Sequence, residues 1–337
     1  MTFPDERSKS AALFQRAQAV LPGGNSRHTV FFRPYPIYVH HAKGSRIVDV
    51  DGVERIDCIN NYSSLIHGHN HPKIVEAIKA QADKLLSVGL PTEQEIELAE
   101  IVTARVPGVQ QIRFGNSGTE GVMFAIKAAR AYTGRPKIVK IEGAYHGSSE
   151  TAEVSLNPSP STWGDIDAPT SVAPPGVSPG AAADTLIVPM NDVARTRRII
   201  ERHAPEIAGV IIDPMVNKLG FLAATHEYVS MLREVTAAHG ILLIFDEVYS
   251  FRLGFNGAQG AFGVIPDLTA MGKIIGGGLP VGAIGGRADI MTELFDPRTR
   301  TPKLGHGGTF NANPMTMAAG VAAMQLYDRE AFDRLSA

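Results

Sequence analysis

A lysine set among glycines and apolar residues, in Met271-Gly272-Lys273-Ile274-Ile275-Gly276-Gly277-Gly278, is a group in this chain suited to covalent chemistry. Desolvation in such surroundings lowers an amine's pKa and leaves it a nucleophile able to form an imine. A carboxylate follows the apolar run Ile241 to Phe245, in Asp246-Glu247-Val248. Ligands of open α/β sheets sit beyond the carboxyl ends of the strands, so Asp246 points at a site where it can pair with a buried cation such as a protonated ring nitrogen. The turn Phe114-Gly115-Asn116-Ser117-Gly118-Thr119-Glu120 leads into a helix. Its small residues admit an anion, the helix start supplies N–H groups, and the Ser117 and Thr119 hydroxyls add donors, which together make a phosphate cup. It has neither the Gly-Lys-Ser/Thr of a Walker loop nor the glycine spacing of a dinucleotide fingerprint. In His306-Gly307-Gly308-Thr309-Phe310-Asn311-Ala312-Asn313-Pro314, Thr309 offers a further phosphate donor ahead of a helix that Pro314 helps to start.

Each segment alone also has an ordinary structural reading. A lysine in a glycine-rich loop can snorkel to solvent, an aspartate can cap the next turn, and a glycine-bearing turn often just precedes a capped helix.

The elements that must hold these residues are legible as alternating periods. Ile138 to Ile141, Leu186 to Val188, Val210 to Ile212 and Ile241 to Phe245 are β-branched or apolar runs separated by helical patterns such as Glu120 to Ala131, stopped at Gly134, and His226 to His239, closed by Gly240. Runs this apolar predict a mostly parallel sheet covered on both faces. Upstream, Ser10 to Val20 reads as an amphipathic helix halted by Pro22-Gly23-Gly24. Tyr38 to His40, Arg46 to Asp49 and Arg55 to Asp57 read as short strands, with Asp51-Gly52 as the hairpin turn. The stretch Leu156 to Ala183 holds six prolines and little periodicity. It is expected to be a mobile lid over the site or a surface insertion without a role. His67, His69 and His71 alternate, but Pro72 starts a helix there, so a structural turn is expected and no metal.

With 337 residues, 44% hydrophobic, 20% charged and a formal net charge of -2, the chain has no large single-sign field for nucleic acid or an anionic membrane. Small-molecule chemistry is the better expectation. Cys58 is the single cysteine, which fits a reducing compartment, and no apolar run is long enough to span a bilayer, so a cytoplasmic location is expected.

Taken together, Gly115 to Glu120, Tyr145-His146-Gly147, Asp246-Glu247-Val248, Gly272 to Gly278 and Gly308-Thr309 resemble, in order and spacing, the class III aminotransferases of pyridoxal 5'-phosphate (PLP) fold type I. Pro22-Gly23-Gly24-Asn25-Ser26-Arg27, Gly68-His69-Asn70-His71-Pro72 and Leu279-Pro280-Val281-Gly282-Ala283 narrow the likeness to glutamate-1-semialdehyde 2,1-aminomutase and its aminotransferase relatives, including those acting on β-amino acids.

The resemblance implies an α/β fold with a mostly parallel central sheet flanked by helices. It divides the chain into residues 1–71 as an N-terminal segment of the small domain, 72–290 as the large cofactor domain with the lid at about 156–183, and 291–337 as the start of a small C-terminal domain, apparently truncated. It implies Lys273 as the Schiff-base lysine, Asp246 as partner of the pyridine nitrogen, Val248 beneath the ring, Tyr145 stacked above it and His146 beside it. Ser117, Gly118 and Thr119 match the phosphate cup, and Thr309 the threonine that reaches the neighbouring subunit's phosphate, which implies a homodimer with shared sites. Asn217 matches the asparagine near the cofactor's phenolic oxygen, and Arg27 an arginine at the substrate mouth. Asp213-Pro214 stands where the family usually has Glu-Pro, Lys218 where the aminomutases have an apolar residue, and Tyr62, at a substrate position, where many have tryptophan.

The expected activity is transfer of an amino group from an amino acid, including a β-amino acid, to a keto acid. The alternatives are intramolecular amino exchange in glutamate 1-semialdehyde, with an aldehyde acceptor, and a catalytically silent binding protein.

Overall fold

The computed structural model describes residues 3–298 and 302–337, and the chain divides into two compact units with the boundary between Glu76 and Ala77. In the first unit the opening helix runs Lys9–Gln18, two residues shorter at its end than the sequence pattern suggests. Ser8 caps it by accepting from Ala11 N–H. Three antiparallel strands follow, β1 (Val39–Lys43), β2 (Arg46–Asp49) and β3 (Glu54–Ile56), in the order β1-β2-β3. The β2–β3 turn closes with Gly52 at φ 82°, a left-handed conformation that glycine adopts without steric cost. Asn60, Asn61, Tyr62 and Ser63 all have positive φ, between 45° and 65°. Four successive non-glycine residues in this region are uncommon, and such strain collects at functional segments.

The second unit is built on seven strands: β4 (Gln111–Gly115), β5 (Lys137–Ile141), β8 (Thr185–Val188), β9 (Ile207–Ile212), β12 (Leu242–Asp246), β13 (Leu268–Gly272) and β14 (Gly282–Gly286). The intervening numbers belong to two short hairpins, β6 (Gly164–Asp165) with β7 (Ala168–Pro169), and β10 (Met215–Val216) with β11 (Leu222–Ala223). The sheet order is β4-β14-β13-β12-β9-β5-β8. Only β14 runs antiparallel to its neighbours, as its pairings with β13 and β4 show.

The sheet is buried on both faces, which is why its strands lack alternation: all six residues of β9 and all five of β12 are buried. One face packs Val139, Val210 and Phe245 against Tyr228 and Leu232 of the helix His226–Ala238. The other packs Ile138, Ile211 and Ile244 against Val122, Ala125 and Ala129 of the helix Gly118–Thr133. Among the described residues, no helix is long and apolar enough to cross a membrane.

Residues 156–183 are less irregular than the composition suggests. They hold a 3-10 turn at Pro160–Thr162, the β6–β7 hairpin and the helix Pro179–Ala183. The segment is also tied down: Lys218 Nζ donates to Leu156 O at 3.2 Å, Ser155 N–H to Val172 O at 2.8 Å, and the Asp167 carboxylate pairs with Arg198 at 2.8 Å.

Candidate active site

Parallel pairing fixes the centre of the site. β9 and β12 register with Ile212 opposite Phe245, so Asp213 and Asp246 occupy the next positions on adjacent strands. On the other side of β12, Asp246 lies opposite Ala270 of β13, and Lys273 begins the turn that leaves β13 three residues later. Three ionisable side chains far apart in sequence therefore gather at the carboxyl ends of three neighbouring strands.

Asp246 is 4% exposed. Its Oδ2 is 2.8 Å from Nδ1 of His146, itself 1% exposed, and its Oδ1 accepts from Val248 N–H at 3.1 Å. His146 Nε2 is buried with no hydrogen-bond partner among the described residues. Burial holds the Asp213 carboxyl well above the usual carboxylate range, and the negative charge of Asp246 pushes it further; hydrogen bonds from Met215 N–H and the Ser250 hydroxyl oppose this. Burial lowers the pKa of Lys273, while the charges of Asp246 and Asp213 act in the opposite direction. The amine thus lies close enough to both carboxylates to feel their charge. Lys273 has φ 49°, and its Nζ lies 5.6 Å from the centre of the Tyr249 ring. Glu247, beside Asp246, is fully buried and pushed up to about 7 by burial, against hydrogen bonds from Gln259 and two backbone amides. It ties the turn after β12 to the helix Gly257–Phe262 through Ala258 N–H at 2.6 Å.

The turn that leads from β4 into the helix Gly118–Thr133 sits on the same edge. Ser117 caps the helix Gly118–Thr133, its Oγ accepting from Glu120 N–H at 3.2 Å, while Gly121 N–H reaches Ser117 O at 3.1 Å. The amides of Gly118 and Thr119 precede these bonds, where a helix has donors to offer an anion. A Cβ at Gly118 would lie 2.7 Å from Val248 Cγ1, and one at Gly272 would lie 3.4 Å from the same atom, so Val248 rests on two glycines. Thr119 Oγ1 accepts from Ser148 N–H at 3.3 Å, tying the cup to the loop of Tyr145 and His146. Tyr145 is 44% exposed. Asn217 starts the turn between β10 and β11, and Phe221 of that hairpin stacks against Tyr249 at 5.8 Å. Thr309 is exposed, in a loop that Asn311 joins to the cup through Asn116 Nδ2 at 2.9 Å.

Arg27 and Tyr62 belong to the first unit and meet there. The guanidinium lies 5.9 Å from the Tyr62 ring centre and donates to Asn61 Oδ1 at 3.1 Å, and the Tyr62 hydroxyl donates to Thr29 Oγ1 at 2.5 Å. His69 is occupied by Asp57 at 2.7 Å.

The sequence reading put Asp213 on the substrate side, as a departure from Glu-Pro, but singled out none of Glu247, Tyr249 or Lys140; Lys140, fully buried on β5, is hidden in an apolar strand.

An amine, a buried carboxylate and a helix start on one sheet edge suit an enzyme of the aminotransferase kind, and the known proteins give the class. A profile described as aminotransferase class-III matches residues 30–337. An ω-transaminase from Sphaerobacter thermophilus superposes with a TM-score of 0.96 at 52% identity, over 98% of this chain and 75% of that one. A β-phenylalanine aminotransferase from Variovorax paradoxus gives 0.85 at 38%, over 96% and 70%. Glutamate-1-semialdehyde 2,1-aminomutase 2 of Exiguobacterium sibiricum is 43% identical over 99% of this chain and 76% of its own length. The chain belongs to the class III aminotransferase family, with the fold type I α/β architecture of its enzymes.

Proposed function

We propose that this enzyme binds pyridoxal 5'-phosphate and transfers an amino group between an amino acid, β-amino acids included, and a keto acid. The observation that carries the reading is the convergence of Lys273, Asp246 and the Ser117 to Thr119 helix start on one edge of the sheet. The residues fit the cofactor. Asp246 is a buried carboxylate for a protonated ring nitrogen, the Gly118 and Thr119 amides suit a phosphate, and Val248, seated on Gly118 and Gly272, offers an apolar surface beneath a ring. When bound, the cofactor supplies an aldehyde that captures amines and a protonated ring that withdraws electrons from the substrate carbon.

The chain's own residues do the rest. Lys273 would hold the cofactor covalently through its aldehyde, and its amine, once free, would serve as the base and acid that moves the substrate's proton. Asp246, oriented by His146, would keep the ring nitrogen protonated. Tyr145 would cover the ring and Asn217 would meet its phenolic oxygen, while Arg27 with Tyr62 is suited to a substrate carboxylate.

Thr309 serves the phosphate of a second copy in a homodimer. In support, Leu86 and Leu90 are 63% and 73% exposed, Phe310 is 59% exposed beside Thr309, and Asn313 Nδ2 joins the two segments through Leu86 O at 3.2 Å. Exposed apolar side chains of this kind are what a subunit interface would cover.

The deciding assay supplies a panel of α- and β-amino donors together with 2-oxoglutarate. Consumption of the acceptor supports transamination. Amino exchange within glutamate 1-semialdehyde without acceptor consumption supports the second reading, which the 43% identity to an aminomutase favours. Asp213, Lys218 and Tyr62, at positions where aminomutases differ, weigh against it.

A further inference from the structure

Lys140 lies on β5, between β9 and β8 in the sheet, and is wholly buried. Placing an amine there is costly unless its hydrogens find acceptors. They do: Nζ donates to Ala144 O at 3.1 Å and to Val154 O at 2.6 Å. These carbonyls stand at opposite ends of the excursion that leaves β5, carries Tyr145 and His146 to the site edge, and returns. Gly143 N–H closes the same excursion on Ser155 O at 2.9 Å. The Ala144 carbonyl shares a rigid peptide plane with the Tyr145 nitrogen, so its bond to Lys140 fixes the plane from which the Tyr145 side chain departs. One residue further on, His146 reaches Asp246.

We propose that Lys140 is a positioning residue that clamps the two ends of the 144–154 loop and so sets Tyr145 and His146 over the cofactor ring. The proposal rests on the reading that these two residues line the cofactor. Burial brings Lys140 down to about 7, with the charge of Lys218 acting in the same direction. A neutral amine still has two hydrogens for its two carbonyls, so the clamp holds in either protonation state.

The test compares Lys140→Met, Tyr145→Ala and the double variant, with Lys140→Gln replacing the methionine variant should that one not fold. Cofactor affinity and the visible circular dichroism of bound PLP are read beside the melting temperature of the cofactor-free protein. Loss of the clamp is expected to weaken PLP binding about tenfold and to reduce the induced dichroism. In the Tyr145→Ala background the same change is expected to have a smaller further effect, the part that passes through His146. Full additivity of the two changes, or unchanged affinity and dichroism in the single variant, overturns the proposal. A loss of affinity that only tracks the melting temperature, equally in both backgrounds, overturns it as well. Wild-type protein that takes up no PLP sinks the cofactor reading together with this one, whereas wild-type uptake with an unaltered Lys140 variant sinks this one alone.

Discussion

His146 Nδ1 and Asp246 Oδ2 are 2.8 Å apart in a region closed to solvent, which makes the histidine the side chain that orients the carboxylate. Removing one member of a buried hydrogen-bonded pair leaves the other unsatisfied, commonly at a cost of about 1–3 kcal/mol. His146→Phe should therefore lower the melting temperature of the cofactor-free protein, and added PLP, by bringing a ring cation to Asp246, should recover more stability in the variant than in the wild type. Equal stabilisation of both by PLP would show that Asp246 does not face the ring.

Lys273→Ala should abolish the absorbance of the lysine-bound cofactor near the visible edge and lower turnover by about 10⁴-fold, since it removes both the covalent link and the proton carrier. A gel-filtered variant that keeps that absorbance assigns the link to another lysine.

Gly118→Ala drives a methyl group to 2.7 Å from Val248 Cγ1. Overpacking of this kind costs about 1–3 kcal/mol, seen as a lower denaturation midpoint and weaker cofactor binding. Val248→Ala in the same chain should return part of the loss, and an absence of any coupling between the two would contradict the packing described.

Lys140 titrates at about 7 in the folded chain and near the ordinary lysine value of 10.5 when unfolded. Between these values the unfolded chain holds the extra proton, so stability rises with pH across that window, by at most about 1.4 kcal/mol per pH unit. Below the window both states are charged and the burial cost is present in full. Denaturation of wild type and Lys140→Met in parallel should show the slope flatter in the variant. Parallel curves would mean that the amine titrates normally.

The covered strands were legible because a doubly buried sheet leaves an unbroken apolar run: β5, β8, β9 and β12 all appear within a residue or a few of the runs that announce them. β14 was not legible as a strand. Its Gly-Ala-Ile-Gly-Gly carries no strand period, because its glycines answer to neighbouring backbone rather than to solvent; a Cβ at Gly286 would meet Asp267 O at 2.5 Å. Lys273 and Asp246 could be singled out as residues because each follows its own strand directly. Their adjacency, and that of Asp213, depends on the strand order β13-β12-β9, which local periodicity does not encode. For the same reason Lys140 reads as one polar residue in Lys-Ile-Val-Lys-Ile until the carbonyls it meets are brought near by the fold. In residues 156–183 the prolines and glycines concealed short elements held by contacts from Lys218, Arg198 and Ser155, partners outside the segment itself.

The reversed strand has an effect on which positions are open to change. Running against its neighbours, β14 brings its first residue, Gly282, to the edge where the parallel strands end, and a Cβ there would fall 1.8 Å from Ser117 O. A side chain at that first position would therefore displace the Ser117 backbone and the helix start that follows it. Within the large sheet, then, variation in function falls to the loops that follow the co-directional strands, while the reversed one stays a spacer.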